Sequence, residues 1–235
     1  MPAVRMSDGS VKFVSRNKRG VVGDVELPCG QCIGCRLERS RQWAMRCLHE
    51  SSLYDSNAFI TLTYDDAHFP PGGSLVYSDF QKFMKRLRKM FPDYRIRFYM
   101  GGEYGEITAR PHYHACLFGF DFPDKKLFKN TSSGFRLYTS AILEKLWPFG
   151  MSCIGDVSFQ SAAYIARYCV QKVTGQLAES HYRVITEDGE IIDREPEFNH
   201  MSLKPGIGAE WLRRYKSDVF PRDYVVINGV KTKPP

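Results

Sequence analysis

Two β-rich runs, Arg95–Gly105 (RIRFYMGGEYG) and Arg110–Phe120 (RPHYHACLFGF), flank the short polar loop Glu106–Ala109. This pattern predicts a hairpin, and it restricts the fold more than any other feature because a hairpin needs further strands or helices to be stable. Phe59–Tyr64 (FITLTY) supplies another β-rich run. Phe80, Phe83, Met84, Leu87 and Phe91 recur at helical spacing after Ser78, a candidate N-cap. A helix over Tyr138–Trp147, a strand over Cys153–Phe159 and a helix over Ser161–Thr174, stopped by Gly175, complete the series. The order β-α-β-β-α-β plus one helix predicts an α+β, ferredoxin-like split βαβ core with helices on one face of an antiparallel sheet.

That core is expected over residues 57–176. A Cys-rich helical extension occupies 1–56. A hairpin-and-helix extension over 177–235 carries turn signals at Glu187–Glu190 and Ile227–Val230 and a short helix over Ala209–Lys216. No apolar run is long enough to span a membrane and no secretory leader precedes the core, so the expectation is a cytoplasmic protein with no membrane partner. The 33 Lys and Arg against 26 Asp and Glu leave a net charge of +7, which permits a polyanionic partner. Much of it falls in two helical stretches: Arg36, Arg39, Arg41 and Arg46, then Lys82, Lys85, Arg86, Arg88 and Lys89. An ordinary solvated helix face would look the same.

His112 and His114 alternate around Tyr113, so a strand sends both imidazoles to one face. If Gly105 pairs with Arg110, Glu103 falls opposite His112 on that same face, with Cβ atoms ~5 Å apart. Two nitrogens and one carboxylate then leave positions open on a divalent ion for water and a phosphate oxygen. Glu106 is the competing third ligand, although this register puts it in the turn. On the predicted helix, Tyr164 and Tyr168 share a face off the apolar stripe of Ala162, Ile165, Ala166, Cys169 and Val173, and Lys172 continues their row. A phenol attacks a phosphodiester at neutral pH only if a cation activates the phosphate.

Phe59–Tyr64, His112-Tyr113-His114 and Tyr164–Tyr168 resemble, in order and spacing, the three motifs of the HUH endonucleases, and they lie in or beside the blocks Ile60–Asp66 (ITLTYDD), Gly101–Gly119 (GGEYGEITARPHYHACLFG) and Ala162–Cys169 (AAYIARYC). With Pro28–Cys47 (PCGQCIGCRLERSRQWAMRC) and Lys204–Trp211 (KPGIGAEW), they are similar to the rolling-circle replication initiators of Microviridae, in the gokushovirus branch. The resemblance implies an enzyme that binds single-stranded origin DNA and uses Mg²⁺ or Mn²⁺ held by His112, His114 and Glu103. Tyr164 or Tyr168 would attack, leaving a 5′-phosphotyrosyl link and a free 3′-OH, and the second tyrosine would serve strand rejoining. Family members often carry lysine three residues after a tyrosine. Here Arg167 and Gln171 stand there, so Lys172 ranks above Arg167 as general acid, because arginine holds its proton.

Cys29, Cys32 and Cys35 form C-x2-C-x2-C, a spacing that suits a structural Zn²⁺ with Cys47, His49 or a more distant residue as fourth ligand. Reduced cysteines without metal are one alternative, and an iron–sulfur cluster, for which the fourth cysteine of the usual run is absent, is another. Arg36, Arg39 and Arg41 follow at once and, with Lys82, Lys85, Arg86, Lys89 and Arg167, are the expected DNA contacts. No Gly-Lys pair and hence no Walker A motif occurs, so a host helicase and polymerase are the expected partners. Two other readings stay open: a related HUH transposase or relaxase, and a non-catalytic binding module on the same sheet.

Overall fold

The computed structural model describes residues 2–13, 19–132, 134–167, 172–186, 188–227 and 229–235. It divides into two compact units, residues 1–39 and 40–235. The first holds a three-stranded antiparallel sheet in the order β2-β1-β3, from β1 (Pro2–Met6), β2 (Val11–Lys12) and β3 (Val21–Glu26). The expected extension is therefore not purely helical. Asp8 accepts from the backbone N–H of Ser10 at 2.8 Å and closes the β1–β2 turn. Helix α1 (Ile33–Ser51) begins in this unit, and its residues from Ser40 onward belong to the second.

The second unit is built on a seven-stranded antiparallel sheet. Its strands are β4 (Asn57–Thr63), β5 (Arg97–Tyr104), β6 (Pro111–Phe118), β7 (Lys126–Asn130), β8 (Arg136–Thr139), β9 (Ser152–Gly155) and β12 (Phe198–Met201), in the order β12-β5-β6-β4-β9-β8-β7. The central four, β5-β6-β4-β9, have the split βαβ order. The crossover from β4 to β5 is α2 (Tyr77–Met90), which starts one residue before the expected Ser78 cap; that from β6 to β9 contains α3 (Ala141–Leu146). The expected helix over Tyr138–Trp147 is shorter because Tyr138 and Thr139 pair in β8, while Ser140 caps Leu143 N at 3.1 Å.

Helices cover both faces, not one. Tyr113, Ala115 and Leu117 of β6 pack with Phe80, Phe83 and Leu87 of α2 and with Leu143 of α3. Each fully buried side chain of this kind contributes about 1.5–3 kcal/mol. Cys116 and Phe118 point the other way, with the histidines, and need apolar cover of their own. Ala44 and Cys47 of α1, and Ala162, Ile165 and Ala166 of α4 (Phe159–Ala166), supply it. Ser158 and Ser161 close a capping box at the start of α4, two residues before the expected beginning of that helix. Arg167 is its C-cap, residues 168–171 lie outside the described chain, and 172–174 are not helical. The expected row through Lys172 is therefore not a continuation of α4.

Two contacts fix the sheet's surroundings. Gly150 has φ +145°, and a Cβ there would fall 2.3 Å from Asp65 N, so only glycine lets this stretch lie along the end of β4. Buried Glu50 accepts from Arg97 Nε at 2.6 Å and from Gly208 N at 2.7 Å, joining α1, β5 and the Lys204–Gly208 turn. Beyond the core follow α5 (Leu177–Tyr182), the hairpin β10 (Arg183–Ile185) and β11 (Ile191–Asp193), α6 (Ala209–Val219), and the hairpin β13 (Val225–Ile227) and β14 (Val230–Thr232). Both turn signals lie between paired strands.

Candidate metal and tyrosine site

The register places Glu103 directly opposite His112 and Gly101 opposite His114, with Thr61 and Thr63 on the far side of β6. Side chains of the pairs Glu103–His112 and Thr61–His114 therefore share one face, and Gly101 leaves room above His114. Glu103 Oε1 lies 2.6 Å from His112 Nε2 and 2.9 Å from His114 Nε2. The three ligand atoms all fall within 4.8 Å of one another. Glu106 is in the turn and exposed, as the register required.

Each imidazole is held by its other nitrogen. His112 Nδ1 donates to Arg110 O at 3.0 Å, and His114 Nδ1 bonds Thr61 Oγ1 at 2.8 Å. Such outer contacts orient metal-binding histidines and leave Nε2 turned to the ion. Burial raises the Glu103 carboxyl, but the hydrogen bonds from His112 and His114 outweigh it and hold the group below its ordinary value. Burial lowers His112, and bonding to Glu103 outweighs it, so its pKa is raised; in His114 burial wins and its pKa is lowered. Two borderline nitrogens and one hard oxygen on a buried carboxylate suit a divalent cation such as Mn²⁺ or Mg²⁺.

Tyr164 of α4 reaches the same point. Its hydroxyl donates to Glu103 Oε1 at 3.3 Å and its ring stands edge-on to His114, with centroids 5.0 Å apart. A cleft of about 80 Å³ opens here, lined by Glu103, Glu106, His112, Tyr164 and Arg167. Tyr168 lies outside the described residues. Lys172 is described and half-buried, past the end of α4.

The basic residues are less concentrated at the site than the charge pattern suggested. Helix α2 packs on the sheet face opposite the histidines, so Lys82, Lys85 and Lys89 project away from them. Strand alternation is the reason: Tyr113, which contacts α2, and His112 and His114 point to opposite sides. Arg86 bends back to donate to Leu146 O at 2.8 and 3.0 Å, and Lys82 pairs with Asp79 at 3.1 Å. Arg41 donates to Lys233 O at 2.8 Å. In the first unit Arg36 is half-buried and Arg39 exposed.

Cys29, Cys32 and Cys35 of the first unit also converge, with their sulfurs within 4.8 Å. Cys29 Sγ lies 3.8 Å from Cys35 Sγ and accepts from the backbone N–H of Cys32 at 3.2 Å. Gly30, at φ +74°, makes the turn between them. Of the expected fourth ligands, Cys47 is buried among Ala44, Tyr99 and Cys116, and the His49 ring is stacked on Trp211 with centroids 3.6 Å apart, both in the second unit. Sequence reasoning missed Thr61 and the Arg110 carbonyl as supports of the histidines. Thr61 carried a signal, since it lies on the outward side of the alternation in FITLTY.

The family model for replication-associated protein ORF2/G2P matches residues 57–173. The chain is 35% identical over 229 residues to replication-associated protein VP4 of Bdellovibrio phage phiMH2K, covering 94% of this chain and 69% of that one. It is 32% identical over 233 residues to replication-associated protein ORF2 of Spiroplasma virus 4, covering 96% and 68%. Against replication-associated protein ORF4 of Chlamydia phage 1 the identity is 32% over 214 residues, covering 87% of this chain and half of that one. No solved structure matches.

Proposed function

The chain belongs to the replication-associated protein ORF2/G2P family, and from that premise we propose that it initiates replication by cutting and rejoining single-stranded origin DNA through a tyrosine. The observation that carries this reading is the hydrogen bond from Tyr164 to the same Glu103 oxygen that faces both His112 and His114. Glu103, His112 and His114 would hold Mn²⁺ or Mg²⁺, which supplies charge to the scissile phosphate. The Tyr164 oxygen forms a bond to phosphorus as the bond to the 3′ oxygen breaks. The phenol would lose its proton to solvent while the Glu103 carboxylate stays ionised, and the leaving 3′ oxygen would take one up from solvent. Arg167, which lines the same cleft, would balance phosphate charge.

The products are a 5′-phosphotyrosyl protein and a free 3′-OH, the group a host polymerase extends while a host helicase opens the duplex. The stored phosphotyrosyl bond is a diester like the one broken, so rejoining needs no outside energy source. In the first unit, Cys29, Cys32 and Cys35 would hold a structural Zn²⁺ as three thiolates with one further donor.

Incubation with a randomised, labelled single-stranded DNA pool and Mn²⁺ tests the reading. A covalent protein–DNA band should appear on a denaturing gel and disappear with EDTA. Sequencing the trapped strands then identifies the origin. A protein that binds the pool but forms no band with any divalent cation would instead be a binding module.

A further inference from the structure

A cavity of about 530 Å³ adjoins the site, between α4 and strands β4, β9 and β8, and shares His114 and Tyr164 with it. Phe59, Phe135, Leu137 and Cys153 give it apolar walls, and Arg136, Gln160 and one carboxylate, Asp156, add polar groups. It leads to the end of the sheet, where β7 exposes all five of its residues. Phe128 is 61% exposed and Phe135 49%, and the Lys129 ammonium lies 5.5 Å from the Phe128 ring. From Lys126 to Thr139 the sequence carries three cations, Lys126, Lys129 and Arg136, and no carboxylate.

We propose that this cavity receives an unpaired nucleobase next to the scissile phosphate, and that the β7–β8 hairpin carries the adjoining nucleotides of the single strand. The inference rests on the cleavage reading above for the position of the phosphate. Apolar walls and exposed aromatics offer stacking surfaces to any base, while the cations follow the backbone; together these are the elements of a single-strand path. A phosphate at Glu103, His112 and Tyr164 puts its own nucleotide at the cavity mouth, because Tyr164 lines both spaces and His114, 2.9 Å from Glu103 Oε1, lines the cavity. Bases of an intact duplex are stacked and paired and cannot enter, so the cavity also selects for unpaired DNA. A second copy of the chain is a poor occupant of this edge, since β7 carries two lysines and no carboxylate to pair with them. The path differs from the one the charge pattern suggested, because α2 lies on the other face of the sheet.

Fluorescence anisotropy in EDTA tests it, using labelled oligo(dT), an abasic strand of equal length and charge, and a duplex. The wild-type protein should prefer oligo(dT) to the abasic strand by about tenfold or more, and Phe135→Ala should remove most of that preference while leaving abasic binding unchanged. Phe135 is half exposed, so its truncation does not threaten folding. Lys126→Gln with Lys129→Gln should weaken both strands and lower the salt slope by about 0.7 per lysine. Equal affinity for oligo(dT) and the abasic strand, no effect of Phe135→Ala, or a DNA-free dimer that Phe128→Ala dissolves would each overturn the proposal. Covalent adduct formation without base preference rejects this cavity and keeps the cleavage reading. Base preference without any adduct does the reverse.

Discussion

The Tyr164 hydroxyl donates to Glu103 Oε1, the oxygen that also faces His112 and His114. A candidate nucleophile and a candidate metal ligand are therefore joined by one hydrogen bond, and their roles separate by substitution. Tyr164→Phe removes only the hydroxyl. It should lower adduct formation by at least ~10³-fold, as expected for loss of a nucleophile, while Mn²⁺ affinity measured by calorimetry stays near wild type. Peptide mapping of an undiminished adduct to Tyr168 would move the first attack to that residue.

The hydrogen bond between Thr61 and His114 gives a second test, one step removed from the ligands. Thr61→Val keeps the side-chain shape and removes the partner of His114 Nδ1. Mn²⁺ affinity should fall about 10–100-fold, the usual effect of losing an outer contact of a metal-binding histidine. His112→Ala, which removes a ligand, should weaken it further. Unchanged Mn²⁺ binding in both variants would remove His112 and His114 from the metal site.

The buried pair of Glu50 and Arg97 predicts a stability effect of a different kind. Glu50→Ala strands the guanidinium and the Gly208 N–H, and should cost about 3–5 kcal/mol in denaturant unfolding. The double change Glu50→Leu/Arg97→Leu removes both charges and should cost less than Glu50→Ala alone. A double variant as unstable as the sum of the two singles would mean that the two charges do not stabilise each other across the buried pair.

The legible parts of this structure are those governed by short-range periodicity. A period of two and one turn were enough to set Glu103 against His112, and a 3.6-residue period identified the inner face of α2. Which side of the sheet α2 covers was also encoded, because Tyr113 alternates with the histidines, but the charge pattern drew attention to its lysines instead. Arg86 reads as an outer residue by spacing, yet its long side chain returns to Leu146 O. Among the strands that were missed, β2 and β7 share a reason. They are short or edge strands, and KLFKN exposes every residue, so it shows no alternation between core and solvent. Tyr168, read as the partner of Tyr164, falls outside the described residues.

The three-cysteine cluster predicts bound metal in protein purified without chelator. Mass spectrometry under native conditions should find one Zn²⁺ per chain, and Cys32→Ser should lose it. Because Cys29, Cys32 and Cys35 lie in the first unit, Cys32→Ser should also reduce the far-ultraviolet signal while Mn²⁺ binding at His112 and His114 remains. Metal-free protein with full thiol reactivity and unaltered structure would leave three reduced cysteines in a turn.

His49 predicts a pH dependence. Its ring lies flat on Trp211, Nε2 has no hydrogen-bond partner among the described residues, and burial lowers its pKa from 6.5 to about 4. The folded chain therefore keeps this imidazole neutral over a range in which the unfolded chain protonates it. Between pH 6.5 and about 4 the unfolded state binds more protons, so stability falls as the pH falls. At ~1.4 kcal/mol for each pH unit of the shift, the full loss is on the order of 3 kcal/mol. His49→Phe keeps the stacked ring without a titrating group. Its denaturation midpoint should change less than that of the wild type between pH 7 and pH 4.5, and carboxylates elsewhere act equally on both proteins. Parallel pH profiles for the two proteins would show that His49 is protonated in the folded state without cost.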